Sequence, residues 1–156
     1  MDRYVLHRGN KSSTIRVITM DNNKKKILLV EDDTNLANVY KARLELEGFL
    51  VVLVDNGEDA LSTTIKEKPD LILLDAMMPK ISGFDVLDIL RNTSETANIR
   101  VIMLTALSQE KDEQRAKSLG VDDYLVKSQV VIGDVVERIK HHLGMPTEPT
   151  STPPQV

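Results

Sequence analysis

Three apolar runs of this chain end in charged side chains that could do chemistry together. The runs cover 26–30, 70–74 and 121–126, and the charged residues that follow them are Glu31-Asp32, Asp75 and Lys127. Because the carboxyl ends of parallel strands lie along one edge of a sheet, where ligands bind, these groups would meet there. Carboxylates from two strands and an ammonium group from a third can hold a hard divalent cation beside an anionic phosphoryl group. The pattern therefore predicts a site for phosphoryl transfer.

The composition limits the kinds of protein that this chain can be. It has 156 residues, 41% hydrophobic and 28% charged, which suits one globular domain with tails. A net charge of −4 and a pI near 5.4 argue against non-specific nucleic-acid binding. The absence of cysteine excludes disulfides, and the three histidines do not suggest a zinc site. No apolar run reaches transmembrane length, so we expect a cytoplasmic protein without membrane or direct nucleic-acid partners.

The pattern divides the chain into three segments. Residues 1–24 are polar and irregular and predict a flexible extension, although the alternating stretch 14–18 can also pair as a strand. Met20 stands just before the regular region, so a native start at that residue is a second interpretation. Residues 25–144 form the expected domain. Residues 145–156 are rich in proline and threonine and predict a disordered tail.

Apolar runs alternate with helical patterns throughout the expected domain. The predicted strands are 26–31, 49–54, 70–75, 98–104 and 121–126, and the predicted helices are 34–47, 57–68, 83–92, 108–119 and 129–143. Ser108 is the expected cap of the fourth helix. Continuous apolar runs are typical of parallel strands that are buried on both faces. The alternation therefore predicts an α/β fold, a five-stranded doubly wound parallel sheet with helices on both faces.

Each candidate side chain also has an ordinary structural interpretation. Asp75 can be a helix cap or a surface residue, and the acidic turn 31–33 can stabilise the following helix dipole, with Asp33 as its cap. Thr105 can donate to a phosphoryl oxygen or cap a helix. Lys127 can pair with a phosphoryl oxygen or remain a solvated lysine. The chemical interpretation is favoured because all of these groups follow strands.

Five site positions fall in register at the ends of the predicted strands. They are Glu31, Asp32, Asp75, Thr105 and Lys127, and they are supported by the stretches 27–33, 70–79 and 120–127, with Pro79 and Gly83 after the third strand. In these features the chain resembles the receiver domain of two-component response regulators. The resemblance spans about residues 25–144 and is highly specific.

The resemblance implies a flavodoxin-like fold and an aspartyl phosphate. Asp75 would accept a phosphoryl group from the phosphohistidine of a sensor histidine kinase or a phosphotransfer protein. Asp32, Asp75 and the Met77 carbonyl would bind Mg²⁺ directly, and Glu31 would act through water. Since phosphoryl transfer needs mostly positioning and charge neutralisation, we expect the protein with Mg²⁺ to accept phosphate from small acyl phosphates as well.

The resemblance also implies the groups that hold and sense the phosphoryl oxygens. Lys127, Thr105 and the backbone N–H groups of Met77 and Ala106 would hold them. Phosphorylation adds negative charge and acceptor oxygens at the site. Thr105 would then move towards the phosphoryl group and Tyr124 would turn inward behind it, which biases a two-state equilibrium.

The chain departs from the family pattern at three positions. The family usually has a cis proline after the lysine, whereas Ser128 follows Lys127 here. Since a cis bond without proline costs about 3 kcal/mol, we expect a trans or strained loop, which bears on the placement of Lys127. Met77 and Leu107 would flank the route of an attacking water and are apolar. We therefore expect slow self-dephosphorylation, and no separate catalytic activity beyond this and self-phosphorylation.

Other classes of function fit the residues less well. A haloacid-dehalogenase-type phosphohydrolase needs a second aspartate two residues after the nucleophile, where this chain has Met77. A nucleotide-binding loop after the first strand would need glycine, which is absent from 31–35. A phosphorelay intermediate and a non-phosphorylated pseudo-receiver interaction module remain alternatives. Mg²⁺ binding would separate a working receiver from the pseudo-receiver.

The expected output is a protein surface, because we expect a stand-alone receiver without an output domain after Gly144. The face formed by residues 108–143 would contact a downstream protein target. Its charged residues could also support a phosphorylation-dependent homodimer, or they could form a solvated surface. The sequence does not identify the cognate kinase or the target.

Overall fold

The computed structural model describes residues 23–147 in full and, by backbone alone, two short strands before them. These strands, β1 (Tyr4–His7) and β2 (Arg16–Thr19), pair antiparallel as a separate two-stranded sheet. Part of the alternating stretch near the N-terminus therefore does pair as a strand. The expectations of a flexible extension over the rest of 1–22 and of a disordered tail over 148–156 fall outside the described residues.

Five parallel strands form the main sheet. They are β3 (Lys26–Val30), β4 (Leu50–Val54), β5 (Leu71–Leu74), β6 (Arg100–Thr105) and β7 (Asp123–Val126). Their order across the sheet is β4-β3-β5-β6-β7, so the winding reverses between β3 and β5. Parallel sheets of this kind bind ligands where the order reverses, outside the carboxyl ends of the strands. The predicted doubly wound, flavodoxin-like fold is confirmed.

Five helices cover both faces of this sheet. They are α1 (Thr34–Leu46), α2 (Gly57–Glu67), α3 (Gly83–Arg91), α4 (Glu110–Ser118) and α5 (Ile132–His142). On one face, Leu44 of α1 and Ile139 of α5 pack in one buried cluster. On the other, Ala60 of α2, Leu87 of α3 and Ala116 of α4 share a second cluster. Successive residues of β3 alternate between the two clusters, which explains why its sequence is apolar throughout.

The start of α1 agrees with the sequence prediction, whereas the start of α4 does not. The Leu36 N–H donates to Asp33 Oδ1 at 3.0 Å, so Asp33 is the cap of α1. The prediction that Ser108 caps the fourth helix is wrong. α4 begins at Glu110, and Gln109 before it makes no capping hydrogen bond through its side chain.

The last helix also begins later than predicted, at Ile132 instead of 129. Lys127–Gln129 form a single 3₁₀ turn, and the two valines that follow are extended, as β-branched residues prefer. The Val131 N–H donates to Asp134 Oδ2 at 3.1 Å and so fixes the first turn of α5. The peptide bonds of the described residues include no cis bond, so Ser128 follows Lys127 through a trans bond. Within 23–147, no helix has the length and apolarity needed to span a membrane.

Candidate functional site

The carboxyl edge of the sheet brings the predicted acidic residues together. The Glu31 N–H donates to the Val54 carbonyl at 3.1 Å, and the Asp75 N–H donates to the Val30 carbonyl at 3.1 Å, so the strand ladder fixes both backbones. The residues Glu31 and Asp75 are only 4% and 5% exposed, whereas Asp32 is exposed. One carboxylate oxygen from each of these three residues lies within 4.8 Å of the others.

Lys127 lies against the two buried carboxylates. Its Nζ is 3.0 Å from Glu31 Oε2 and 3.0 Å from Asp75 Oδ2. Its side chain is 21% exposed, so most of its stem is covered. The trans bond to Ser128 therefore leaves the ammonium group at the site, because the long lysine stem spans the distance from the end of β7.

The burial of these charges shifts their pKa values in opposing ways. Burial raises the pKa of Glu31 to about 7; the hydrogen bond from Lys127 lowers it in part, and the nearby charge of Asp75 raises it. Burial alone would lower the pKa of Lys127, but hydrogen bonds to Glu31 and Asp75 raise it above its ordinary value. Lys127 therefore remains an ammonium ion at neutral pH, whereas Glu31 exchanges a proton near pH 7.

The three carboxylates fit a hard divalent cation. Mg²⁺ takes oxygen ligands at about 2.1 Å in octahedral geometry, so two ligands lie about 3.0 Å apart when adjacent and about 4.2 Å apart when opposite. The three acidic residues place oxygens within 4.8 Å of one another, close enough to surround an ion directly or through its water ligands. The exposure of Asp32 opens this cluster to solvent, which suits an ion that keeps several water ligands.

The loop after β5 folds back onto the residue that would accept a phosphoryl group. The Met77 N–H donates to Asp75 Oδ1 at 3.0 Å. The Gly83 N–H donates to the Ala76 carbonyl at 3.0 Å, and a Cβ on Gly83 would lie 2.1 Å from the carbonyl oxygen of Asp75. Only glycine allows this approach of backbone to backbone. In the sequence, Gly83 is part of the family pattern, and this packing role becomes visible only in the fold.

Thr105 and Tyr124 both contact the loop between β6 and α4. Thr105 is fully buried, and its Oγ1 accepts from the Leu107 N–H at 3.2 Å. The Tyr124 hydroxyl donates to the Leu107 carbonyl at 2.8 Å, while Ala106 between them is exposed. The sequence could not reveal the part played by Leu107, because its backbone atoms make both contacts.

The Tyr124 hydroxyl remains a donor over the whole physiological range. Burial raises the pKa of Tyr124 to about 12, and the charges of Asp112, Glu113 and Asp75 add to this effect. The hydrogen bond to the Leu107 carbonyl needs the neutral phenol. The link between β7 and the β6–α4 loop therefore does not depend on pH below about 10, the ordinary pKa of tyrosine.

Known proteins resemble the chain in sequence. A family model for the response regulator receiver domain matches residues 27–140. The transcriptional regulatory protein CpxR of Escherichia coli K12 is 49% identical over 102 residues, which are 65% of this chain and 42% of CpxR. A Cyanophora paradoxa protein named "Probable transcriptional regulator ycf27" is 44% identical over 108 residues, 69% of this chain and 44% of that protein. The chain thus spans less than half the length of these relatives.

Solved structures of receiver domains share its fold. The BeF3-activated N-terminal receiver domain of Klebsiella pneumoniae RstA matches with a TM-score of 0.71 and 29% identity, covering 76% of this chain and 98% of that one. The receiver domain of the Francisella response regulator 1452 matches with a TM-score of 0.72 and 30% identity, covering 78% and 98%. The family model covers nearly the whole sheet with its helices. The chain therefore belongs to the response regulator receiver family, the receiver domains of two-component systems.

Proposed function

We propose that this domain is a phosphorylation-activated switch in which Asp75 accepts a phosphoryl group from a histidine kinase or a phosphotransfer protein. The proposal rests on one observation, that both carboxylate oxygens of Asp75 contact a donor. Oδ2 lies 3.0 Å from Lys127 Nζ, and Oδ1 accepts the Met77 N–H at 3.0 Å. Donors are therefore already in place where negative charge develops during transfer.

The transfer replaces one phosphorus bond with another. An oxygen of Asp75 attacks phosphorus, the bond from phosphorus to the histidine nitrogen breaks, and the electron pair of that bond leaves with the imidazole. Lys127 turns from the carboxylates towards a phosphoryl oxygen, and the N–H groups of Met77 and Ala106 hold the others. When bound by Asp32, Asp75 and the Met77 carbonyl, with Glu31 acting through water, Mg²⁺ would supply neutralisation of the phosphoryl charge.

The contacts of Thr105 and Tyr124 define one arrangement of the switch. In this arrangement, the Thr105 hydroxyl accepts from the Leu107 N–H. A phosphoryl group at Asp75 attracts this hydroxyl as a donor, so Thr105 moves away from the Leu107 N–H and the β6–α4 loop shifts with it. The Tyr124 hydroxyl, which is bonded to the Leu107 carbonyl, couples the shift to β7. The output is then a changed surface on α4, β7 and α5.

The partner at this surface is a protein in our proposal, because the net charge of −4 does not suit nucleic acid. A second copy of the chain is an alternative occupant. Arg138 and His142 already contact Asp123 Oδ2 at 2.9 Å each. These side chains would have to leave Asp123 before they could form ion pairs with a second copy of the chain. Light scattering of the phosphorylated protein tests the homodimer; an unchanged monomer mass would leave only the separate target.

The first experiment is intact-mass measurement after incubation with acetyl phosphate and Mg²⁺. We expect one phosphoryl group on the wild type and none on Asp75→Asn. Asp55→Asn is a matched control, since Asp55 lies near the cluster but outside it. Wild-type protein that binds Mg²⁺ but gains no phosphoryl group, from acetyl phosphate or from a phosphorylated histidine donor, would contradict the proposal and favour a pseudo-receiver.

A further inference from the structure

Met77 combines a fixed backbone with an open side chain. Its N–H is bonded to Asp75 Oδ1 at 3.0 Å, which holds the residue against the acceptor, yet the residue is 54% exposed. Met78 and Met145 are only partly exposed and pack against the two core clusters, and Met103 is fully buried. Among the methionines of residues 23–147, Met77 is therefore the most exposed to reagents in water.

The surroundings of Met77 combine apolar and charged side chains beside Asp75. A surface groove is lined by the apolar Met77, Leu107 and Phe84 and by the charged Asp32, Asp112 and Arg115. The Arg115 guanidinium lies 4.3 Å from the centre of the Phe84 ring and is engaged there by a cation–π contact. The side chains of Met77 and Leu107 offer no strong acceptor for the hydrogens of a water approaching the site. A polar oxygen on the Met77 side chain would add an acceptor at the residue whose N–H is bonded to Asp75.

We propose that Met77 is an oxidation site for peroxides, and that its oxidation shortens the life of the phosphoryl group on Asp75. The Met77 sulfur attacks one oxygen of hydrogen peroxide and the O–O bond breaks. The sulfur keeps that oxygen as a sulfoxide and is oxidised by two electrons, while the other oxygen leaves as water. Methionine sulfoxide reductases reverse this change, so the modification can act as a switch.

The effect on lifetime follows from the polarity of the sulfoxide and rests on the proposed function of Asp75. A thioether is a weak acceptor, whereas a sulfoxide oxygen accepts hydrogen bonds strongly. Because the Met77 N–H is bonded to Asp75 Oδ1, the new oxygen is carried by a side chain that begins beside the acceptor and can reach a water that approaches the phosphorus. An oriented water hydrolyses the aspartyl phosphate faster than a disordered one. Peroxide would therefore shorten the lifetime of the phosphoryl group on Asp75.

The first test is the order in which methionines react. The wild-type protein is treated with limiting hydrogen peroxide and its peptides are mapped by mass spectrometry. We expect Met77 to be oxidised at least about 10-fold faster than the buried Met103, and faster than Met78 and Met145. This measurement does not depend on phosphorylation. Oxidation of Met78 or Met145 before Met77 would overturn the assignment.

The second test compares phosphoryl lifetimes with and without prior peroxide treatment. We expect treatment to shorten the lifetime at least about threefold in the wild type and in Met78→Leu, and to leave the ratio near one in Met77→Leu. Reduction by a methionine sulfoxide reductase should restore the untreated lifetime. An unchanged lifetime in protein whose Met77 is shown to be oxidised would overturn the proposal. A lack of any phosphoryl adduct before treatment would instead refute the proposed function, and with it the effect on lifetime.

Discussion

The pKa of Glu31 shows most clearly the effect of the buried charges around Asp75. It is buried beside Asp75 and Lys127, and burial raises its pKa to about 7 from an ordinary value of 4.5. Between these two pH values the folded, metal-free protein holds a proton that the unfolded chain releases. Glu31 therefore makes the free energy of unfolding fall as pH rises through this window.

Glu31→Gln should remove this pH dependence, because glutamine does not titrate. We expect the free energy of unfolding of the variant to fall less than that of the wild type between about pH 5 and about pH 8 in the absence of Mg²⁺. Urea denaturation at the two pH values measures the difference. The same loss of stability in both proteins would show that Glu31 titrates normally.

Leu107 provides a second prediction at the scale of single residues. Its backbone holds Thr105 and Tyr124, while its side chain lines the groove beside Met77. Leu107→Gln keeps the backbone contacts and adds a group that can orient water. We expect the phosphoryl lifetime on Asp75 to shorten about 10-fold, measured by loss of the adduct in intact mass. Ile89→Gln, an exposed substitution on α3, serves as the control and should leave the lifetime unchanged.

At the scale of elements, the approach of α3 to the end of β5 is a fixed backbone contact. A Cβ on Gly83 would lie 2.1 Å from the Asp75 carbonyl oxygen and 2.7 Å from the Ala76 Cα, and backbone atoms cannot rotate away. We expect Gly83→Ala to lower the free energy of unfolding by about 3 kcal/mol, measured by urea denaturation. Gly133 in α5 has no atom within 4 Å of its position for a Cβ, so Gly133→Ala should raise it by about 0.5 kcal/mol. Equal effects would show that the contact is not rigid.

A second set of contacts between elements lies at the amino end of the sheet. Arg91, the last residue of α3, binds Asp122 Oδ2 at 2.8 Å and donates to the carbonyls of Gly120 and Ile99 at 2.8 Å each. Asp122 Oδ2 also accepts from the Val101 N–H at 2.8 Å. One arginine thus ties the end of α3 to the starts of β6 and β7.

Two arginines that share the Asp122 carboxylate should differ in their contributions. The Arg91 side chain is 17% exposed, and Arg91→Ala removes the more buried of the two arginine partners of Asp122 and a donor to two carbonyls, so we expect a loss of about 2 kcal/mol. The Arg100 side chain is 56% exposed, and Arg100→Ala should cost less than about 0.5 kcal/mol. Urea denaturation of both variants compares them directly. A larger loss for Arg100→Ala would contradict the importance of burial here.

The sequence predicted the helices and strands better than the residues at which they begin and the contacts between them. Apolar runs and capping residues such as Asp33 are local signals, so the number, type and order of the elements in 25–144 are as predicted. The order of strands across the sheet depends on pairing between distant segments, so local patterns do not give it; the flavodoxin-like resemblance implies it. The start of α5 was misplaced because Val130 and Val131 continue the apolar pattern of the helix. The contacts of the Leu107 backbone do not depend on its residue type, and the glycine at position 83 does not by itself reveal that its partner is the backbone of Asp75.

At the scale of the whole molecule, the site and the stabilising contacts lie at opposite ends of the sheet. The acidic cluster follows β3 and β5 at their carboxyl ends, while Arg91 and Asp122 join elements at the amino end. Charge can therefore accumulate at the site without weakening the contact at the other end. The desolvation and mutual repulsion of these charges destabilise only the cluster itself, where a bound cation can offset them.

Mg²⁺ should accordingly stabilise the whole domain against unfolding. A ligand at 100 times its dissociation constant that binds only the folded state adds about 2.7 kcal/mol. We expect a gain of this order for the wild type in thermal denaturation with Mg²⁺, and a much smaller gain for Asp32→Asn. Asp55→Asn, outside the cluster, should respond as the wild type does. Equal stabilisation of Asp32→Asn and the wild type would place the ion elsewhere.

The sequence separation within the site has a consequence for biosynthesis. Lys127 is 96 residues from Glu31 and 52 residues from Asp75 along the chain. A ribosome therefore releases both carboxylates well before the lysine that pairs with them. Under the proposed function, a chain that lacks β7 would hold Asp75 without the ammonium group that binds phosphoryl oxygens. Competence to accept phosphate would then arise only when β7 joins the sheet, and an incompletely synthesised chain would not draw phosphate away from finished molecules.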